Sequence, residues 1–107
     1  MRKINKGDNM ITAKQRSYLK GIANKRKPLA QLGKEGISDA FVASMNDLLE
    51  SHELIKVNVL DSSLLGSKEA AVKVAKRTRA EFVQAIGNKF VIYKRAQEDP
   101  KIELPTK

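Results

Sequence analysis

The sequence predicts a two-layer α/β domain of αβαβαββ order, in which a mixed four-stranded sheet carries helices mainly on one face. Three observations point there. Apolar residues recur at helical spacing in three segments that begin near Thr12, Ser38 and Ser67. A short β-prone run follows each segment: "PLAQL", "ELIKVNVL" and "EFVQAI". The third run joins a fourth, "KFVIYK", through Gly87-Asn88 alone, a two-residue hairpin link. Helical connections between the first three strands favour right-handed parallel crossovers, and the hairpin makes the last pair antiparallel.

Residues 1–10 are polar and are predicted to be a disordered extension, with Met10 offering an alternative start. "TAKQ" is a capping box, with Thr12 at the N-cap and Gln15 three residues on, and opens a helix expected to reach about Lys25. Ile11, Tyr18, Leu19, Ile22 and Ala23 cluster on one side of it. Lys14 and Lys25 lie on one flank of that stripe, Arg16 and Lys20 on the other. Pro28 pushes the chain into extended geometry and the first strand.

Ser38 caps a second helix over about 39–51, with Phe41, Val42, Met45, Leu48 and Leu49 as its apolar face. Met45 and Leu48 are expected against the sheet. In the strand 53–60, Ile55, Val57 and Val59 alternate with Lys56 and Asn58, which predicts a sheet covered on one face and open on the other. Ser67 is the expected cap of a third helix, about 68–79, with Ala70, Ala71, Val74, Ala75 and Thr78 as its buried stripe. Lys73, Lys76, Arg77 and Arg79 lie round the opposite side. The domain should end near residue 95, and the tail 96–107, with two prolines, reads as loosely packed apart from Ile102 and Leu104.

The chain of 107 residues suits one domain, and 41% hydrophobic residues can furnish a modest core. There are no cysteines, which excludes disulfides and thiolate metal sites. No apolar run is long enough to span a membrane, and the basic N-terminus lacks the apolar stretch of a secretion signal, so a cytoplasmic protein is expected. The net charge of +9 is segregated. It is +8 over residues 1–36, −4 over 37–66, +6 over 67–95 and −1 over 96–107. Two basic segments around an acidic one favour a polyanionic partner over a surface built only for solubility.

No catalytic constellation appears. His52 is the only histidine and falls at a helix end, where a capping or packing role suits it. It has no nucleophile partner, and the carboxylates form no metal or acid–base motif. Neither a cofactor nor a metal is expected. The notable motif is Gly33-Lys34-Glu35-Gly36, a G-x-x-G between a strand and a helix N-terminus. It fits neither the P-loop nor the dinucleotide fingerprint. Two readings remain open for it: a plain tight turn, or a loop whose backbone meets phosphate, as the G-x-x-G of KH domains does. Tyr18 and Tyr93 could stack on bases, whereas Phe41, Phe82 and Phe90 read as core.

"TAKQRSYLKGIA", "KPLAQLGKEGIS", "HELIKVNVL" and "VQAIGNKFVIYKR", in this order, resemble the YhbY-type bacterial proteins built from a single CRM domain (chloroplast RNA splicing and ribosome maturation). The resemblance covers about residues 11–95, and "KIELP" is similar to the family's usual tail. It implies an RNA-binding domain similar to the C-terminal domain of bacterial translation initiation factor three. It also implies association with ribosomal precursor RNA and large-subunit assembly. The family's loop falls on Gly33, Lys34, Glu35 and Gly36, and its basic first helix on Lys14, Arg16 and Lys20. Lys25, Arg26, Lys27, Lys73, Lys76 and Arg77 complete the expected RNA surface. Glu35 places an acid inside the loop, which weakens its pull on phosphate. A DNA-binding or protein-interaction module without a ribosomal role is the alternative that the residues leave open.

Overall fold

The computed structural model describes residues 11–105. The disorder expected of residues 1–10 lies outside the described residues. Among the described residues, three helices and four strands follow the expected order: α1 (Ala13–Ala23), β1 (Ala30–Leu32), α2 (Asp39–His52), β2 (Leu54–Val59), α3 (Ser67–Thr78), β3 (Glu81–Ile86) and β4 (Lys89–Tyr93). The sheet order is β1-β2-β4-β3. β1 and β2 are parallel, and β4 runs antiparallel to both its neighbours. Thus β1, β2 and β3 share one direction, and the hairpin returns β4 into the gap between β2 and β3.

The helix ends follow local chemistry. Gln15 N–H donates to Thr12 Oγ1 at 3.1 Å, and Thr12 N–H to Gln15 Oε1 at 3.0 Å, which completes the capping box. α1 stops at Ala23, short of Lys25. The N–H groups of Lys25 and Arg26 turn back to the carbonyls of Ile22 and Ala23, a tightened last turn that frees Lys27 to be extended before Pro28. Ser38 Oγ accepts from Phe41 N–H at 3.1 Å and starts α2. Ser67 is not the cap expected for α3. Gly66 occupies that position without a side-chain bond, while Ser67 Oγ donates to the Gly87 carbonyl at 2.8 Å. That bond ties the helix start to the β3–β4 turn, where Gly87 takes a φ of 59°.

The principal core lies under α2 and α3. Ile55, Val57 and Val59 of β2 and Phe90 and Ile92 of β4 meet Met45 and Leu49 of α2 and the alanine-rich stripe of α3. Small residues let α3 sit close to the sheet. Leu48 is only half-buried at the margin of this core, and Leu49 takes the fully buried place.

The second face is not left open, in contrast to the expectation from strand alternation. α1 crosses it, and Leu19 and Ala23 bury Leu54, Val83, Val91 and Tyr93. A register shift between Phe82 and Gln84 lets Val83 join this second core while Phe82 and Ala85 border the first. Lys56 and Asn58 are half-buried and keep the polar alternation.

The tail is held rather than loose. Ile102 and Leu104 pack on the second core as expected. Glu53 had been expected to open β2 but is instead the C-cap of α2, with φ 65°. Its buried carboxylate accepts the N–H groups of Ala96 at 2.9 Å and of Lys101 and Ile102 at 2.8 Å. Gln15 Nε2 adds a bond to the Pro105 carbonyl at 2.8 Å.

Candidate nucleic-acid interface

The glycine loop leaves the end of β1 and delivers the chain to α2. Gly36 N–H donates to the Gly33 carbonyl at 3.1 Å, closing a four-residue turn with Lys34 and Glu35 exposed at its tip. The two glycines differ in what demands them. Gly36 has φ 74°, where a side chain is strained although a Cβ would meet no atom within 4 Å. Gly33 has no such angle. A Cβ there would touch Leu60 Cδ1 and Ser62 Oγ at 3.4 Å, the near edge of ordinary contact. Turn geometry therefore explains Gly36, and neither geometry nor crowding inside the chain explains Gly33.

Arg77 couples the loop to α3. Its Nη2 lies 2.8 Å from Asp39 Oδ1 in an exposed ion pair, and its Nη1 donates to the Ile37 carbonyl at 2.9 Å. Both bonds fall just past Gly36, so Arg77 braces the loop as well as contributing charge. Lys73 and Lys76 are exposed on the same helix. Of this group, Lys73, Lys76 and Arg77 sit on α3, on the face that α2 and α3 cover, and Lys34 sits in the loop that leads into α2.

The remaining predicted residues belong to α1 and its exit. Lys14, Lys20, Lys25 and Lys27 are exposed. Arg16 and Arg26 are half-buried and carry structural bonds: Arg16 Nε donates to the Phe82 carbonyl at 3.1 Å. Arg26 Nη1 donates to the Leu54 carbonyl at 2.9 Å and lies 3.5 Å from that of His52. α1 sits on the opposite sheet face from α2 and α3, and Lys25–Lys27 lie before β1 while Gly33 lies after it. The expected surface thus falls into two groups that share only the edge strand β1.

Tyr18 is 45% exposed on α1 and open to stacking, whereas Tyr93 is 4% exposed and is core, not a stacking platform. Burial and the nearby Glu53 charge push the Tyr93 phenol above its ordinary value. His52 ends α2 and is exposed. Among the described residues no group of three or more His, Asp or Glu is placed to hold a metal ion, and no helix is long and apolar enough to cross a membrane. Two exposed arginines outside the predicted set, Arg79 and Arg95, line a cleft beside the C-terminal turns of α2 and α3. The signal for Arg95 was the "KR" just after β4, which reads from sequence as an ordinary strand end.

The profile of the CRS1 / YhbY (CRM) domain matches residues 11–94, from the residue before the capping box to the residue after β4. The chain belongs to the CRM family. The CRM match contains the glycine loop and every predicted site residue. Bacillus subtilis has a relative, named probable RNA-binding protein YqeI, that is 38% identical over 96 residues, 90% of this chain and 100% of the relative. A Haemophilus influenzae relative named RNA-binding protein is 35% identical over 97 residues, covering 91% of this chain and 97% of the relative. The solution structure of SAV1595 from Staphylococcus aureus superposes with a TM-score of 0.72 at 41% identity, covering 90% of this chain and 100% of that one.

Proposed function

We propose that this protein binds RNA without catalysing a reaction, and that it associates with ribosomal precursor RNA to assist large-subunit assembly. The observation that carries the reading is the Gly33–Gly36 turn, braced by Arg77 and placed between β1 and α2 in a chain whose CRM relatives are named RNA-binding proteins. At this junction the backbone N–H groups opening α2 and the positive end of its dipole attract an anion. Asp39 opposes that pull, and Arg77 offsets it. Gly33, which lacks a positive φ and where a Cβ would meet only the Leu60 and Ser62 side chains at 3.4 Å, lets a phosphodiester backbone lie against the turn.

The exposed lysines on both faces add sequence-independent attraction, so affinity depends steeply on salt and on the shape of the folded RNA. Crosslinking in cells followed by sequencing of the bound RNA tests the assignment. Reads concentrated on large-subunit precursor RNA are expected. Enrichment of DNA, or salt-insensitive association with a protein, would replace this reading with its alternative.

A further inference from the structure

The C-terminal turns of α2 and α3 and the segment leaving β4 border an open cleft of about 600 Å³. Arg77, Arg79, Lys94 and Arg95 line it together with Glu50 and Glu98. Several of these groups are already committed. Arg77 holds Asp39 and Ile37, and Lys94 Nζ donates to the Thr78 carbonyl at 3.0 Å, which satisfies an end of α3. Glu50 accepts the N–H groups of Gln97 and Glu98, each at 3.0 Å. Arg79 and Arg95 are exposed and form no side-chain hydrogen bond or ion pair among the described residues.

The backbone singles out Arg79. It sits at φ 63°, ψ 29°, in the left-handed position that ends a helix and that glycine usually fills. Glu53 also takes a positive φ at the end of α2, with a different ψ of −42°, and its carboxylate collects three N–H groups there. No group among the described residues gives the Arg79 side chain a comparable reason. A strained residue whose side chain has no internal partner, at the mouth of a cleft, points outward.

We propose that this cleft is a phosphate-binding site in which Arg79 and Arg95 grip a phosphodiester of the same RNA that meets the glycine loop. The inference rests on the RNA-binding reading above. Guanidinium forks match phosphate oxygens in pairs. Arg77 lines the cleft and also holds the Ile37 carbonyl, so one side chain joins the cleft to the residue that follows the loop. Glu50, Glu98 and the negative ends of two helix dipoles oppose a lone anion here. A polynucleotide already held at the loop reaches the site at high effective concentration and overcomes that opposition.

The test uses the full chain, a large-subunit precursor RNA transcript and salt titrations. Arg79→Asn is combined with Arg95→Gln, because Asn tolerates the left-handed backbone. The double variant is expected to melt like the parent, to bind about tenfold more weakly at low salt, and to lose about one unit of salt slope. Arg95→Gln alone is expected to show part of the loss, which covers the case of a loosened α3. Inorganic phosphate alone, followed through the arginine side-chain NMR signals, is expected to bind weakly or not at all. If Gly33→Ala weakens RNA binding while the double variant keeps the parent's affinity and slope, the cleft is overturned and the RNA reading stands. If the parent binds no RNA, both fall. Tight phosphate binding with unaltered RNA affinity in the double variant would make the cleft a small-anion site and overturn the proposal.

Discussion

Gly33 and Gly36 occupy one turn for separate physical reasons, and that separation makes them unequal probes. Gly36→Ala places a Cβ at φ 74° and should destabilise the fold by about 1–2 kcal/mol, whatever the loop binds. Gly33→Ala meets only ordinary contacts and should leave thermal melting within about 0.5 kcal/mol of the parent. RNA affinity measured on the folded Gly33→Ala protein therefore isolates the approach of a ligand backbone. Unchanged affinity would reduce the loop to a turn. Glu53 is the other residue with an outsized role. Burial raises its carboxyl pKa, but the N–H groups of Ala96, Ile102 and Lys101 outweigh that and hold it below its ordinary value. A lowered folded value means that the contribution to stability is complete above the unfolded carboxyl's range and is lost as pH falls through the folded value. Glu50 is lowered in the same direction by the N–H groups of Gln97 and Glu98. Acidification from about pH 6 to pH 3 should thus loosen the tail first, seen as lower hydrogen-exchange protection, relative to the intrinsic rate at each pH, at the Lys101 and Ile102 amides. Glu53→Gln should cost about 2 kcal/mol at neutral pH and flatten this dependence. A melting curve that moves with pH as much in Glu53→Gln as in the parent would assign the effect to other carboxylates.

Among the elements, α2 shows how a helical stripe can be right in period and still misplace its centre. Phe41, Met45, Leu48 and Leu49 all touch the core, but only Met45 and Leu49 are fully enclosed. Leu49→Ala should therefore cost about 2–5 kcal/mol, and Leu48→Ala nearer 1 kcal/mol, in urea melts. Equal losses would mean that the helix is rotated from the register described. The order of elements, both side-chain caps at Thr12 and Ser38, and the Gly87-Asn88 turn were legible because each depends on neighbours within a few residues. What escaped the sequence depends on distant partners. Alternation in β2 correctly put Ile55, Val57 and Val59 on one face, yet it could not report that α1 would cross the other and bury Leu54. Glu53 looked like a strand residue because its three partners lie more than forty positions away. The glycine loop was legible as a motif, while the bracing of its far side by Arg77 was not, because that contact spans α2.

At the scale of the whole molecule, the question is how a single RNA meets cations carried on both faces of a sheet. Lys73 and Lys76 lie on α3 and Lys34 in the loop that leads into α2, whereas Lys14 and Lys20 lie on α1, across the sheet, and Lys25 just past its end. Arg16 and Arg26 are bound to carbonyls of the chain, so their replacement would mix folding with binding. The exposed lysines avoid that difficulty. Neutralising Lys34, Lys73 and Lys76 together with glutamine should reduce the salt slope of RNA binding by about two units, at roughly 0.7 for each phosphate no longer neutralised. The same change at Lys14, Lys20 and Lys25 should give a similar reduction if the RNA folds round the β1 edge to touch both faces. Neither set should lower the melting temperature, since removing like charges from a chain of net charge +9 relieves repulsion. The two reductions should then add when the sets are combined, because they lie on separate surfaces. An unchanged slope for the α1 set would confine the interface to the loop and α3, and α1 would be left with the task its buried leucine and glutamine already perform, closing the second core and holding the tail.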